Sequence, residues 1–360
     1  MNKAVMLFIL LFFLIQPLPT AADESVGKVM LVVKSSGESV FQSDLFMASD
    51  QLFDSIINAE PLQTVTELPN LHHYLLFEDR GIIRIFVRDE FGKFYDVQRK
   101  EKVQFPSVTA NKLNRYFNAL HKKHFGKLVE WETIEGELPL YATFKVTDLE
   151  TGLSFYAQRR AGSNHADVQP VTKKDTNIMK KIYNDKWSWN RRAVLIHCED
   201  QIIAASMHGM PHGGGALSNG FPGHFCIHFK GSLTHSTRNE DLSHQVMVHK
   251  AGGSINQFVK SLPAEEIVQL YFIALNQNDA DLFRLISHES NRAINLNNFE
   301  FAKLMKLHAP STEEPFEFEI EAEFKIKEKG KPETNDTFRF RLIRDSLMGG
   351  WKLQDTPLDF

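Results

Sequence analysis

The residues from Ser206 to Phe229, SMHGMPHGGGALSNGFPGHFCIHF, have the types and spacing that could do chemistry. The last six alternate: Phe225, Ile227 and Phe229 are apolar, whereas His224, Cys226 and His228 are polar or reactive. Strand side chains point to opposite faces in turn, so the first set is expected to enter a core and the second to share the other face. A thiol with an imidazole two residues away on each side has neighbours that can lower its pKa, and the thiolate is the nucleophilic form. A histidine from the preceding loop would complete an acid/base partnership, and His208, eighteen residues upstream, is the natural candidate. That loop holds Gly209, Gly213, Gly214, Gly215, Gly220 and Gly223. Glycine permits backbone angles and close approaches closed to other residues, which predicts an irregular loop lining a site; a flexible linker is the alternative.

The same residues support two other chemistries. As metal ligands, His224 and His228 would stand on one strand face, and His208 would make the third imidazole of a zinc site completed by water. Asn164-His165-Ala166-Asp167 offers a further His/Asp pair that could line the site, recognise substrate, or make an ordinary loop hydrogen bond. In the non-catalytic reading, Cys226 is an inert buried residue or is bridged to Cys198, and the histidines are hydrogen-bonded loop residues. Trp187-Ser-Trp189 with Arg191-Arg192 is either a substrate-facing platform or part of a core.

The segment resembles the catalytic motif of the L,D-transpeptidases (the YkuD-like family), which crosslink or process peptidoglycan stem peptides. His208-Gly209 matches its first half, His224 falls two residues before Cys226 as the family's pre-cysteine histidine does, and Ile227 fits the variable apolar place. Three positions depart from the pattern: Gly223 stands for Ser/Thr, Phe225 for glycine, and His228 for Arg/Asn. The resemblance implies that Cys226 attacks a peptide carbonyl to form a thioester. In that scheme His208 takes and returns the proton, His224 assists, and backbone N–H groups around Phe225 and Cys226 stabilise the oxyanion. Gly209, His212, Gly223, Phe225 and His228, with His165 and Asp167, would then line the substrate site. No cofactor is implied; zinc belongs to the metal reading.

Around this segment the chain is expected to form an α+β, multi-domain protein. Residues 23–135 predict a small α/β domain, with strands at Val29–Val33, Tyr74–Phe77, Ile82–Val87 and Phe94–Val97 and a helix from Ser107 through His121. The acidic stretch Glu130–Glu137 marks a boundary. Residues 136–253 predict a β-rich domain of the L,D-transpeptidase-like kind, with hairpins at 142–159 and 192–206 and a short helix at 175–183. Residues 254–360 predict two helices after Pro263 and a strand at Phe316–Ile326 that alternates apolar and charged residues, then strands at Phe338–Ile343 and Trp351–Leu353. That order of elements resembles the cone folds of the NTF2-like superfamily, which implies an accessory or binding module.

Bulk properties bound the function classes. Lys3, the twelve apolar residues Ala4–Ile15 and the small residues Thr20, Ala21 and Ala22 predict a signal peptide over 1–22, hence a secreted or envelope-associated protein. Twelve apolar residues are too few to span a bilayer as a helix, so no transmembrane segment is expected after cleavage. A formal charge of -4 argues against nucleic-acid binding, and peptidoglycan or its stem peptides are the expected partner. Two cysteines rule out a disulfide scaffold. Nine of the fifteen histidines lie between 165 and 249, a concentration that calls for a cause.

Overall fold

The computed structural model describes residues 28–357 except 67, 70–71, 80–81, 236 and 289–295; the expected signal peptide at 1–22 lies outside the described residues. The chain is mixed α/β and rich in sheet. The described residues divide into two compact units, those up to 124 with 150–152, and 125–149 with those from 153 onward.

The first unit contains β1 (Lys28–Lys34), β2 (Gln42–Met47), α1 (Asp50–Ile57), β3 (Glu60–Thr64), β4 (His73–Asp79), β5 (Ile82–Arg88), β6 (Phe94–Asp96), β7 (Glu101–Gln104) and α2 (Ser107–His124). Its seven strands form one antiparallel sheet in the order β2-β1-β4-β5-β6-β7-β3. The continuous apolar run of β1 is buried on both faces, as a central strand must be. Leu113, Phe117 and Leu120 recur at helical spacing and bury one side of α2, which packs on β1 and β2.

The second unit begins with α3 (Trp131–Glu137), followed by β8 (Thr143–Asp148), β9 (Ser154–Ala161), β10 (Ala166–Pro170), α4 (Lys173–Ile182), β11 (Arg191–Cys198), β12 (Gln201–His208) and β13 (Phe225–His228). The six strands close into a barrel in the order β10-β13-β12-β11-β8-β9, with every pairing antiparallel. Alternate residues from all six enter one apolar cluster: Phe144 and Val146, Phe155 and Ala157, Ala166 and Val168, Val194 and Ile196, Ile203, Ala205 and Met207, and Phe225 and Ile227. That cluster is the barrel interior, so the intervening residues face outward.

The unit continues with α5 (Leu242–Ala251), α6 (Ile255–Ser261), α7 (Ala264–Gln277), α8 (Ala280–Ile286), β14 (Phe299–Leu307), β15 (Thr312–Glu313), β16 (Glu317–Glu328), β17 (Thr334–Ile343) and β18 (Lys352–Leu353). A five-stranded antiparallel sheet runs β14-β16-β17-β18, with β15 on β16. On β16, Phe318, Ile320, Ala322 and Phe324 are buried as their alternation predicts, whereas Phe316 precedes the strand and is exposed. Asp279 caps α8 through Leu282 N and pairs with Lys250 of α5 at 2.8 Å, which ties that helix to the terminal sheet's helices. Helix α5 packs across β11 and β12 and covers part of the barrel's outer face.

Candidate active site

Three neighbouring barrel strands, β10, β13 and β12, present the chemistry. Asp167 lies directly opposite Cys226, and Ser206 directly opposite His228. Their sequence neighbours Ala166, Val168, Phe225, Ile227, Ala205 and Met207 fill the interior, so Asp167, Cys226, His228, Ser206 and His208 share the outer face. The ladder between β12 and β13 covers Ile227 and His228 and ends there. Carrying its register one pair further sets His208 opposite Cys226.

The glycine-rich segment then folds back. His212 forms an antiparallel bridge with His224, each backbone N–H donating to the other's carbonyl at about 3 Å. Residues diagonal across such a pair reach one another, and His212 Nε2 comes 3.4 Å from Cys226 Sγ. Its Nδ1 lies 3.2 Å from the Met210 carbonyl. A carbonyl only accepts, so Nδ1 carries the proton and Nε2 offers its lone pair to the thiol. The imidazole hydrogen-bonded to the sulfur is thus His212, not His208; His208 stands within 4.8 Å of both without bonding the thiol. Gly223, at φ +130°, leaves no room for a Cβ against the His212 carbonyl, and Gly213, at φ +58°, none against the His224 ring. Gln169 braces the turn, its amide nitrogen donating to Gly223 O at 2.7 Å and its oxygen accepting from Ala216 N at 3.0 Å. These contacts define a braced loop rather than a flexible linker.

The thiol's second partner is Asp167, whose Oδ1 is 3.5 Å from Sγ. The same oxygen lies 3.2 Å from His235 Nε2, 3.3 Å from His165 Nε2 and 3.8 Å from His224 Nε2. Behind it, His165, His228 and His244 stack, with ring centroids 4.3 and 3.8 Å apart, and His235 meets His165 edge-on. His244, from α5, also holds Ser206 Oγ through Nδ1 at 2.9 Å. Arg191 joins Asp241, the N-cap of α5, at 2.7 Å and secures this cover.

Electrostatically the site is governed by burial and by the Asp167 carboxylate. Burial pushes the Cys226 thiol well above its ordinary value, and the adjacent Asp167 carboxylate adds to the effect. Burial opposes the charge of Asp167, but contacts from His165 and His235 outweigh it and hold the carboxyl below its usual range. Burial, and then Arg191, lowers His208 to about 3. Burial likewise lowers His212, and His228 and His244 far more. A sulfur only 5% exposed is therefore a neutral thiol at rest. It lies outside the apolar interior, and both it and Cys198 are free, so the bridged reading is excluded.

The remaining expected site residues are placed as follows. Phe225 projects into the barrel and packs near Phe155, so its side chain supports the strand and lines nothing. Gly209 donates to Ser188 O and packs so closely on the Tyr183 ring that a Cβ would collide with it. His228 is buried in the imidazole stack. The set His224, His228 and His208 does not converge on one point; the groups with converging ligand atoms are His165, Asp167, Cys226 and His235, and His208, His212 and Cys226. Trp187 packs against the core, while Trp189 is half exposed over His208 and His212. Sequence reasoning gave no role to His235, His244 or Gln169, although the density of histidines pointed to the neighbourhood.

Fold and site together define a class, an antiparallel six-stranded barrel with a thiol–imidazole pair on its histidine-lined outer face. Comparison with protein-family models and with curated proteins finds no match.

Proposed function

We propose that this chain is an exported, cysteine-dependent acyl-transfer enzyme of the L,D-transpeptidase kind, acting on peptidoglycan stem peptides. The observation that carries this reading is the Cys226–His212–Met210 carbonyl arrangement, a nucleophile facing a base whose far nitrogen is anchored. In the attack, Sγ bonds to the peptide carbonyl carbon while its proton passes to His212 Nε2. Asp167 stabilises the resulting imidazolium by charge, and the leaving amine takes the proton back. The edge of β13 at Phe225 and Cys226, beyond the end of the β12 ladder, is where backbone N–H groups would meet the oxyanion.

Beside the site lies space for the rest of a substrate, reached past His235. An open groove of about 630 Å³ is lined by Glu135, Pro139, Leu140, Arg159 and Arg160, with His235 in its wall. Arg160 is half-buried over the Tyr141 ring and offers a charge to a substrate carboxylate. The helices and five-stranded sheet after α5 support an NTF2-like accessory module, and the signal-like start of the chain supports an envelope location. Among the described residues, no helix is long and apolar enough to cross a membrane. Incubation with purified muropeptides tests the assignment. Product should form with the native chain and vanish with Cys226→Ala; equal product from both would sink it.

A further inference from the structure

His165 presents an unusual problem. Its Nδ1 is 2.7 Å from the Leu233 carbonyl, so in the neutral ring the proton sits there and Nε2 holds a lone pair. That buried Nε2 makes no hydrogen bond, yet it stands 3.3 Å from Asp167 Oδ1, lone pair against lone pair. Cys226 Sγ and His235 Nε2 converge on the same oxygen at 3.5 and 3.2 Å. All four potential ligand atoms lie within 4.8 Å of one another. The thiol S–H and a His235 Nε2–H can each donate to that oxygen, but the buried His165 Nε2 lone pair faces no donor, and a cation among the four atoms would satisfy it. A ring nitrogen bonded to a backbone carbonyl behind it is the outer-shell arrangement that orients metal-binding histidines.

We propose that His165, Asp167, Cys226 and His235 form a binding centre for a borderline divalent cation of the zinc type. The donor set suits such an ion: two imidazoles, one sulfur and one carboxylate make the tetrahedral mixed coordination that zinc accepts. Binding replaces the S–H bond of Cys226 by a metal–sulfur bond and releases that proton to solvent. The thiolate and the carboxylate then balance the two positive charges, leaving a neutral centre. On the nucleophile reading above, such an ion occupies the reacting sulfur, so bound metal would silence the enzyme. The centre itself does not depend on that reading.

The test uses the full chain carrying Cys198→Ser, stripped with a chelator. Zinc is titrated against a chromophoric competitor, and iodoacetamide alkylation of Cys226 is followed by peptide mass mapping. The expected result is one zinc per chain, alkylation slowed at least about tenfold at one equivalent, and full recovery on adding chelator. His235→Ala, at a half-exposed position, should weaken zinc at least about tenfold, and one equivalent of zinc should then fail to slow alkylation relative to the same variant in chelator. Failure to bind one equivalent, bound zinc that leaves alkylation unslowed, or affinity lost with His208→Ala but kept with His235→Ala would each overturn the proposal. Zinc protection of a sulfur that never accepts an acyl group would keep the centre and remove the nucleophile reading.

Discussion

At the scale of single residues, Cys226 meets two partners of opposite effect. Asp167 raises the cost of a thiolate, while the Nε2 lone pair of His212 provides a place for the proton to go. On the proposed acyl-transfer reading, attack therefore needs proton transfer concerted with it rather than a standing thiolate. His212→Ala should lower kcat for stem-peptide turnover by about 10²–10⁴, whereas His208→Ala should cost less than about tenfold, since it bonds neither the thiol nor its base. The opposite ranking would return the base role to His208. The thiol and its flanking imidazoles were legible from alternation alone. The base was not, because choosing between His208 and His212 depends on the fold-back that pairs His212 with His224, and that turn is built from glycines whose angles leave no periodic trace.

Elements are legible where one face is apolar and the other polar, and β13 and β16 follow that rule. The site rests on it: Phe225 and Ile227 anchor β13 in the barrel and so fix the direction of Cys226. Phe225→Ala should destabilise the second unit by about 3–5 kcal/mol through lost burial and a residual cavity, measured by denaturant unfolding. A cost under about 1 kcal/mol would mean that this ring does not anchor the strand. Elements without the contrast escaped notice. Helix α5, which brings His244, is buried nearly all round and so has no amphipathic period. Strand β10, which brings Asp167, reads ADVQP: its polarity alternates, but over only five residues ending in proline, and its polar face is buried as well. Strand β14 carries register shifts at Phe299/Phe301 and Leu304/Lys306 that break its period.

Across the whole molecule, the pattern of residues marks a boundary near 253, yet the barrel and the terminal sheet fall in one unit, linked by contacts such as Lys250–Asp279. Such a link joins distant positions and has no local sequence signal. The first unit carries its own acid sensitivity. Burial holds His73, His121 and His124 near 2, 4 and 3, below the ordinary 6.5, with neighbouring histidines adding to the effect in all three and Arg88 in the first two. Folded pKa values below the unfolded one mean that the unfolded chain binds more protons. Stability is then full above pH 6.5 and declines as pH falls toward the folded values. Between pH 6.5 and about 5, each of these histidines should cost about 2 kcal/mol. Hydrogen exchange in β1 and β4 reports this unit separately, and His121→Gln should flatten its pH slope. An unchanged slope would show that His121 stays exposed to solvent protons in the fold.

The most direct measurement is the intact mass of the protein, stripped of metal, after brief mixing with a stem-peptide donor and an acid quench. A mass gain equal to the donor acyl group, mapped to Cys226 and absent in Cys226→Ala, is the predicted result. Turnover of the donor with no adduct on that sulfur, or an adduct on another residue, would contradict the account.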